Sequence, residues 1–539
     1  MRINATDNSN APSRPPAGSP QPARSARKRR RIFATITVGI VLVAAACVAP
    51  SPESPEKGSD RLVLETAFKN IDLRHATETS TRMVSLAGLK AISEADTLLE
   101  IDAQAAAIAL TYEDRLLGEW PIPGENDHDG WAAVVADVLE KARSEAPKLA
   151  EQDHELVLAR FFRGALSKLD RYTRYATPGK ARNTRARREG FGGLGVTIRY
   201  DKGNIFVEKV HPGTPAFKAK LKPRDLITHV GGIMLTGLTQ SAAIGHLRGP
   251  VHSKADLTIV RKDAPAPLKI PVVRAHIILP TVTSTREDGI LTIRLSGFNQ
   301  GTSRSLGKVL AAAERENADT LRGIVLDLRS NPGGLLDQAV AVADFFLNDG
   351  RIISTKGRHH RANQIFNASW GERVTSTPIA VLVNGRSASA SEIVAAALRD
   401  RGRAIVIGTS SFGKGSVQTI IRLPNGGELT LTWAHMIAPA GFNLQSHGII
   451  PAICTSAADD ELSNMMAAIR SDVPAAGTIL NAALASRYAI RTNPDLARER
   501  CPPTRTERAE DQEIAKYLLE HKSLYTRALR DGSAAIAER

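Results

Sequence analysis

Aromatic side chains are scarce in this sequence, 4% of 539 residues, and only three residues are cysteine. No segment repeats, so a length too great for one hydrophobic core is divided among two to four unlike domains. Histidine and cysteine nowhere reach metal-site spacing. His359 and His360 are adjacent, but no third ligand follows at a suitable distance, and neither a metal nor another cofactor is expected. A hydrophobic fraction of 42% with both charge signs interspersed excludes a fibrous or wholly disordered chain.

A formal charge of +15 raises the question of nucleic acid, but the charge is unevenly placed. Residues 1–31 hold eight basic side chains against the single Asp7, a surplus of +7 in a tail rich in Pro, Ser and Ala. The run Ile32–Ala46 (IFATITVGIVLVAAA) follows directly, so the tail reads as a targeting segment and no nucleic-acid partner is expected. Fifteen apolar residues match a signal-peptide core better than a full span, while extension through Val48 and Ala49 keeps an uncleaved anchor open. Export across a bacterial inner membrane follows, to the periplasm or cell envelope. The sequence Ala44, Ala45, Ala46, Cys47 is similar to a lipoprotein cleavage box, which makes Cys47 a candidate for acylation. Of the remaining cysteines, Cys454 and Cys501, two readings stand: a loop-closing disulfide in an oxidising compartment, or two unrelated buried thiols.

Composition and periodicity divide the rest. After a Pro-rich linker, 50–60, apolar residues recur at helical spacing through 61–177, predicting a helical N-terminal domain. From 188 to 275 the period shortens and strands such as GLGVTIRY and NIFVEKV alternate with Gly and Pro turns, a compact β-rich module. Strands and helices alternate through 276–455, implying an α/β core, and 456–539 is Ala-rich and helical in pattern. The fold class expected is therefore α+β multidomain.

Gly190, Gly192 and Gly195 satisfy GxGxxG, but a strand follows where a dinucleotide site needs a helix. The loop Gly193, Leu194, Gly195, opening a strand at Val196, instead offers backbone N–H groups to a carboxylate and a strand edge to an extended peptide. The downstream TPAFKAKLKPRDLITHVGG resembles the PDZ pattern TPAxxAGLKPGDxIxxVxG, with Lys220 and Arg224 where small residues are usual.

Three further segments carry chemistry. In GIVLDLRSNPGG an apolar strand runs into Asn331, Pro332, Gly333 and Gly334, a loop able to aim amides at a reacting carbonyl, or an ordinary tight turn. In PIAVLVNGRSASASEIVAAAL, Ser389 stands at a strand-to-helix junction, where a nucleophile would be exposed near a helix N-terminus. The bland alternative is a capping box of Ser389 with Glu392. In GTSSFGKGSVQ, Lys414 lies in a glycine-flanked turn. Gly415 replaces the Ser or Thr that a phosphate-binding loop needs, and a strand follows, which removes the nucleotide reading. A desolvated, neutral Lys414 is able to take a serine proton, and Gln418, four residues on along a strand, falls on the same face.

DLRSNPGG, SASASE and FGKGSVQ, in that order after a PDZ segment, resemble the C-terminal processing peptidases, also called tail-specific proteases. The resemblance covers about Leu156 to Pro451. It implies a crotonase- and ClpP-like α/β core with Ser389 as nucleophile, Lys414 as general base and Gln418 orienting it, and with oxyanion donors at Ala390 and Gly333. It further implies capture of protein or peptide C-termini at Gly193–Val196, PDZ gating of activity, and a homodimer or an activating adaptor as further partners, while association with the inner membrane would come from segment 32–49. Two rival readings exist. A Ser-His-Asp hydrolase leaves FGKGSVQ unexplained, and a non-catalytic PDZ scaffold on the same fold is disfavoured by the intact Ser389, Lys414 and Gln418.

Overall fold

The computed structural model describes residues 59–104, 106–316, 320–369, 377–456, 460–471, 477, 479, 481 and 493–532. The basic tail, the apolar run and Cys47 lie outside the described residues.

The N-terminal domain packs helices Ser59–Arg74, Thr81–Ser93, His128–Glu145 and His154–Leu166 around Phe68, Trp131, Phe161 and Phe162. The expectation of a purely helical domain misses a three-stranded antiparallel meander, Leu99–Ala103, Ala107–Tyr112 and Arg115–Pro121. Its tight turn is made by Glu113 and Asp114 at φ 51° and 63°. Glycine and asparagine usually mark such hairpin turns, and neither is present to signal this one. Leu423, Leu429 and Leu431, from the protease region, complete this core.

The β-rich module is a six-stranded sheet in the order Leu268–Val273, Lys254–Val260, Leu226–Val230, Asn204–Val210, Val196–Asp201, the last of them an edge, with short Ile233–Met234 paired to Leu226–Val230. Entry and exit segments pair antiparallel, Phe191–Gly193 against Ala275–Ile277, closing the module at its base. Lys220 and Arg224, the two departures from the PDZ pattern, adopt φ 58° and 73°. The turns keep the left-handed geometry that glycine adopts freely, at a cost of about 1–2 kcal/mol each for a residue with a Cβ.

In the core, Ile290–Leu295, Gly323–Asp327, Ile379–Val383, Ile405–Gly408 and Ile453–Cys454 run parallel, with Val282–Glu287 antiparallel at one edge. The three central strands are buried along their whole length, as a parallel sheet covered on both faces requires. Ile324, Leu326, Val381 and Val383 face helices Thr302–Arg315, Leu336–Asp344 and Ala390–Asp400. Val325, Ala380, Leu382 and Ile407 face the C-terminal segment, where Ile514, Leu518, Leu519 and Tyr525 cover them. The C-terminal helices are thus the second layer of the sheet. A second sheet, Gln364–Asn367, Arg351–Lys356, Glu428–Ile437 and Ser416–Arg422, stands beside it, with Arg174–Ala176 added to its long strand.

Cys454, at the end of the last core strand, is joined by a disulfide to Cys501, at the end of helix Pro494–Arg500. Closing a loop over a sequence separation of 47 stabilises by about 2–4 kcal/mol. Reduction, or Cys501→Ser, is expected to lower the unfolding free energy of the full chain, read from urea denaturation, by that amount, and an unchanged value would contradict the staple.

Candidate active site

The strand-end loops of the parallel sheet converge on one carboxylate. Strand Ile379–Val383 ends in a loop that turns into helix Ala390–Asp400 at Ser389, whose backbone is held at φ 57°, ψ −112°. An ordinary N-cap residue is extended. Ser389 is instead strained, as at a nucleophile elbow. Its N–H donates to Glu392 Oε2 at 2.6 Å, so Ser389 and Glu392 form a capping box across a strained turn.

Glu392 has no exposed surface. Its Oε2 also accepts the Lys414 N–H at 2.9 Å, and its Oε1 accepts the Gly413 N–H at 2.7 Å together with the Ser411 hydroxyl. The turns carrying Ser389 and Lys414 therefore share one oxygen atom. Burial pushes the Glu392 carboxyl up, while these four donors pull against that shift. Burial, with the Arg174 guanidinium nearby, pushes the Lys414 ammonium down to about 8.

The SNPGG loop is tied to the same place. Asn331 O accepts the Ala388 N–H at 3.0 Å and the Ser391 hydroxyl at 2.9 Å. Gly333, at φ 95°, lies so close that a Cβ there would stand 2.6 Å from Ala388 O and 2.9 Å from Ala390 N. Only glycine fits.

Sequence comparison assigns this arrangement. Residues 289–455 match the model of Peptidase family S41 and residues 184–260 that of the PDZ domain. The carboxy-terminal-processing protease of Bartonella bacilliformis is 41% identical, over 60% of this chain and 74% of its own length. The chain belongs to peptidase family S41. The carboxyl-terminal-processing protease of Synechocystis sp. is 33% identical over 66% of this chain and 83% of the relative. Among solved structures, a photosystem II D1 C-terminal processing protease is 23% identical with a TM-score of 0.36, covering 73% of this chain and 92% of that one. The protein is a serine-type C-terminal processing protease with a PDZ domain.

Within this S41 protease the predicted residues are gathered, but they are not all engaged. Among the described residues no hydrogen bond joins the Ser389 hydroxyl to Lys414, whose Nζ lies 5.2 Å from the Tyr172 ring centroid. Gln418 does not reach Lys414: its amide donates to Ser416 Oγ at 2.9 Å and Thr432 Oγ1 at 3.4 Å. The same-face argument fails because Lys414 precedes strand Ser416–Arg422 and a bulge separates Val417 from Gln418. The Gly333 N–H is already occupied, donating to Asn331 Oδ1 at 2.9 Å. Ala390, at the first turn of its helix, has no intrahelical acceptor to occupy its N–H. In the PDZ domain Leu194 is buried, its side chain part of the module core, while Val196 opens the edge strand. Among the described residues no cluster of three or more His, Cys, Asp or Glu is placed to hold a metal.

Two groups were not singled out beforehand. Tyr172, beneath Lys414, belongs to the segment FFRGALSKLDRYTRYATPGK, where nothing marks a single aromatic. Next to it, burial pushes Asp170 up, but hydrogen bonds from His75, Thr173, the Tyr172 N–H and Thr432 outweigh it and hold the carboxyl well below its usual range. The second group is the C-terminal strap. Arg498 donates to Ser411 O at 2.9 Å and His447 O at 2.6 Å, Gly385 N–H donates to Thr504 O at 2.7 Å, and Arg329 to Arg508 O at 2.7 Å and to Asp511. Segment 498–511 thereby ties down all three loops.

Glu392→Gln keeps the shape but must turn its NH2 toward either the Ser389 and Lys414 amides or the Gly413 amide and Ser411 hydroxyl. It is expected to destabilise the chain by about 3 kcal/mol and to lower kcat/KM by about 100-fold or more. Near-native activity would remove the shared carboxylate from the account. With Lys414 as the titrating group, kcat/KM should rise with pH through about 8. Arg174→Gln removes a neighbouring positive charge, favours the ammonium, and should move that limb to higher pH. A profile flat from about pH 6 to 9 would contradict it.

Proposed function

We propose that this protease cleaves exported proteins near their C-termini as a serine endopeptidase, with Ser389 as nucleophile and Lys414 as general base. The observation that carries the reading is the strained Ser389 turn held by the same carboxylate oxygen as the Lys414 turn. Neutral Lys414 takes the Ser389 proton as Oγ attacks the scissile carbonyl, and the Ala390 and Gly333 amides hold the resulting oxyanion. The proton then passes to the leaving amine, and water, activated by the same lysine, releases the acyl group.

Reaching that state takes three local movements: Lys414 Nζ leaves the Tyr172 face, Gln418 turns toward it, and the Gly333 amide leaves Asn331. The structure described is in this reading a resting form, and occupation of the PDZ domain is the event that shifts it. The loop Gly193–Val196 takes the substrate carboxylate and the edge strand Val196–Asp201 pairs with the extended tail. The Cys454–Cys501 bond supports an oxidising compartment, in keeping with export through segment 32–49 to the periplasm or envelope. Acylation at Cys47, retention at the inner membrane, a homodimer and an activating adaptor belong to the same reading.

Ser389→Ala and Lys414→Ala, assayed on an unstructured protein substrate, should each lower cleavage by about 10³-fold or more without changing the unfolding free energy by more than about 1 kcal/mol. Full activity in either variant would remove the proposed mechanism.

A further inference from the structure

The helix Pro178–Glu189 leads into the PDZ domain and forms one wall of a groove of about 960 Å³. Gly190–Gly192 make its floor and helix Gln240–Leu247 its far wall. The floor is sealed, because Gly249 N–H bonds Gly192 O at 3.1 Å and a Cβ on Gly192 would stand 2.0 Å from Gly249 O.

The charge in this groove has one sign. Arg182, Arg187 and Arg248 line it together with Phe191 and Ile244, and no Asp or Glu is among its lining residues. Lys180 and Arg185 of the same helix also line the groove, but Arg185, with Arg188, is committed to the buried Glu428 at 3.0 and 3.1 Å. Arg182 and Arg187 are exposed and have no ion-pair partner among the described residues. Arg248 lies 4.1 Å over the Phe191 ring and donates to Asn183 Oδ1 at 3.2 Å. Burial, and then the charge of Arg187, push the Arg248 guanidinium down, so an incoming anion relieves a repulsion already present. A concave wall of one sign beside apolar contacts selects ligands of opposite charge with an apolar side chain.

We propose that this groove selects acidic protein tails, an apolar side chain resting on Phe191 and Ile244 while carboxylates of the C-terminal residues meet Arg182, Arg187 and Arg248. The inference rests on the reading of the PDZ domain as a receiver of C-termini and adds the substrate class.

Full-length Ser389→Ala protein, titrated by fluorescence anisotropy, tests both. Three peptides share one apolar C-terminal residue: one has two glutamates upstream, one has glutamines there, and one is the acidic peptide amidated at its end. The acidic free peptide should bind about fivefold to tenfold tighter than the glutamine peptide at low salt, the ratio shrinking as salt rises. Arg182→Gln with Arg187→Gln should bring the ratio near one, and Arg187→Glu should reverse the preference. If amidation weakens binding but acidic and glutamine peptides bind alike, the acidic selection is overturned and C-terminal capture stands. If amidation has no effect, both fall. If the arginine variants keep peptide selectivity but lose sedimentation with phosphatidylglycerol vesicles, the cluster is a membrane contact and the inference is overturned.

Discussion

The Glu392 carboxylate, without exposed surface, accepts hydrogen bonds from two turns that are far apart in the chain, those of Ser389 and Lys414. Burying a carboxylate costs several kcal/mol. Here four donors aimed at its two oxygens offset that cost, and each charge-assisted bond contributes about 1.5–3 kcal/mol. The carboxylate stays because it replaces the hydrogen bonds that the strained Ser389 turn and the glycine-flanked Lys414 turn cannot make within regular structure.

Much of the remaining architecture keeps that carboxylate dry and its donors aligned. The parallel sheet fixes where strands Gly323–Asp327, Ile379–Val383 and Ile405–Gly408 end, and their loops supply Asn331, Ser389 and the Lys414 turn. The C-terminal segment contributes twice: its helices cover the second face of the sheet, and its Arg498, Thr504 and Arg508 bond the three loops from outside. The Cys454–Cys501 bond fastens this segment close to where Arg498 works. From the other side the N-terminal domain supplies Tyr172 and Arg174, the groups that desolvate Lys414 and press its charge down.

Local chemistry was readable from the sequence, and tertiary partnerships were not. The strands GIVLD and IAVLV announce a doubly covered sheet by their unbroken apolar runs, and FGKG and SNPGG announce turns by their glycines. Ser389 and Glu392 were legible as a pair, but as rival explanations, cap or nucleophile. In the fold, the acid caps the serine's backbone at a turn held in a strained conformation that an ordinary cap does not adopt. Gln418 shows the limit of periodicity, since one bulge moves a residue off the face that a period of two assigns it. Arg498 and Tyr172 carry no local signature, because their roles depend on carbonyls and an amine supplied from 51 residues away and farther.

The central claim is that Ser389 and Lys414 become partners when substrate is bound, with Glu392 unchanged between them. A crystal structure of the full chain with a peptide boronate on its active-site serine tests it most directly. The account predicts boron on Ser389 Oγ, Lys414 Nζ within about 3 Å of that oxygen, the Gly333 amide turned to the adduct, and Glu392 still holding both backbone amides. Boron elsewhere, or a Lys414 that remains over Tyr172 with Glu392 released from either turn, would contradict it.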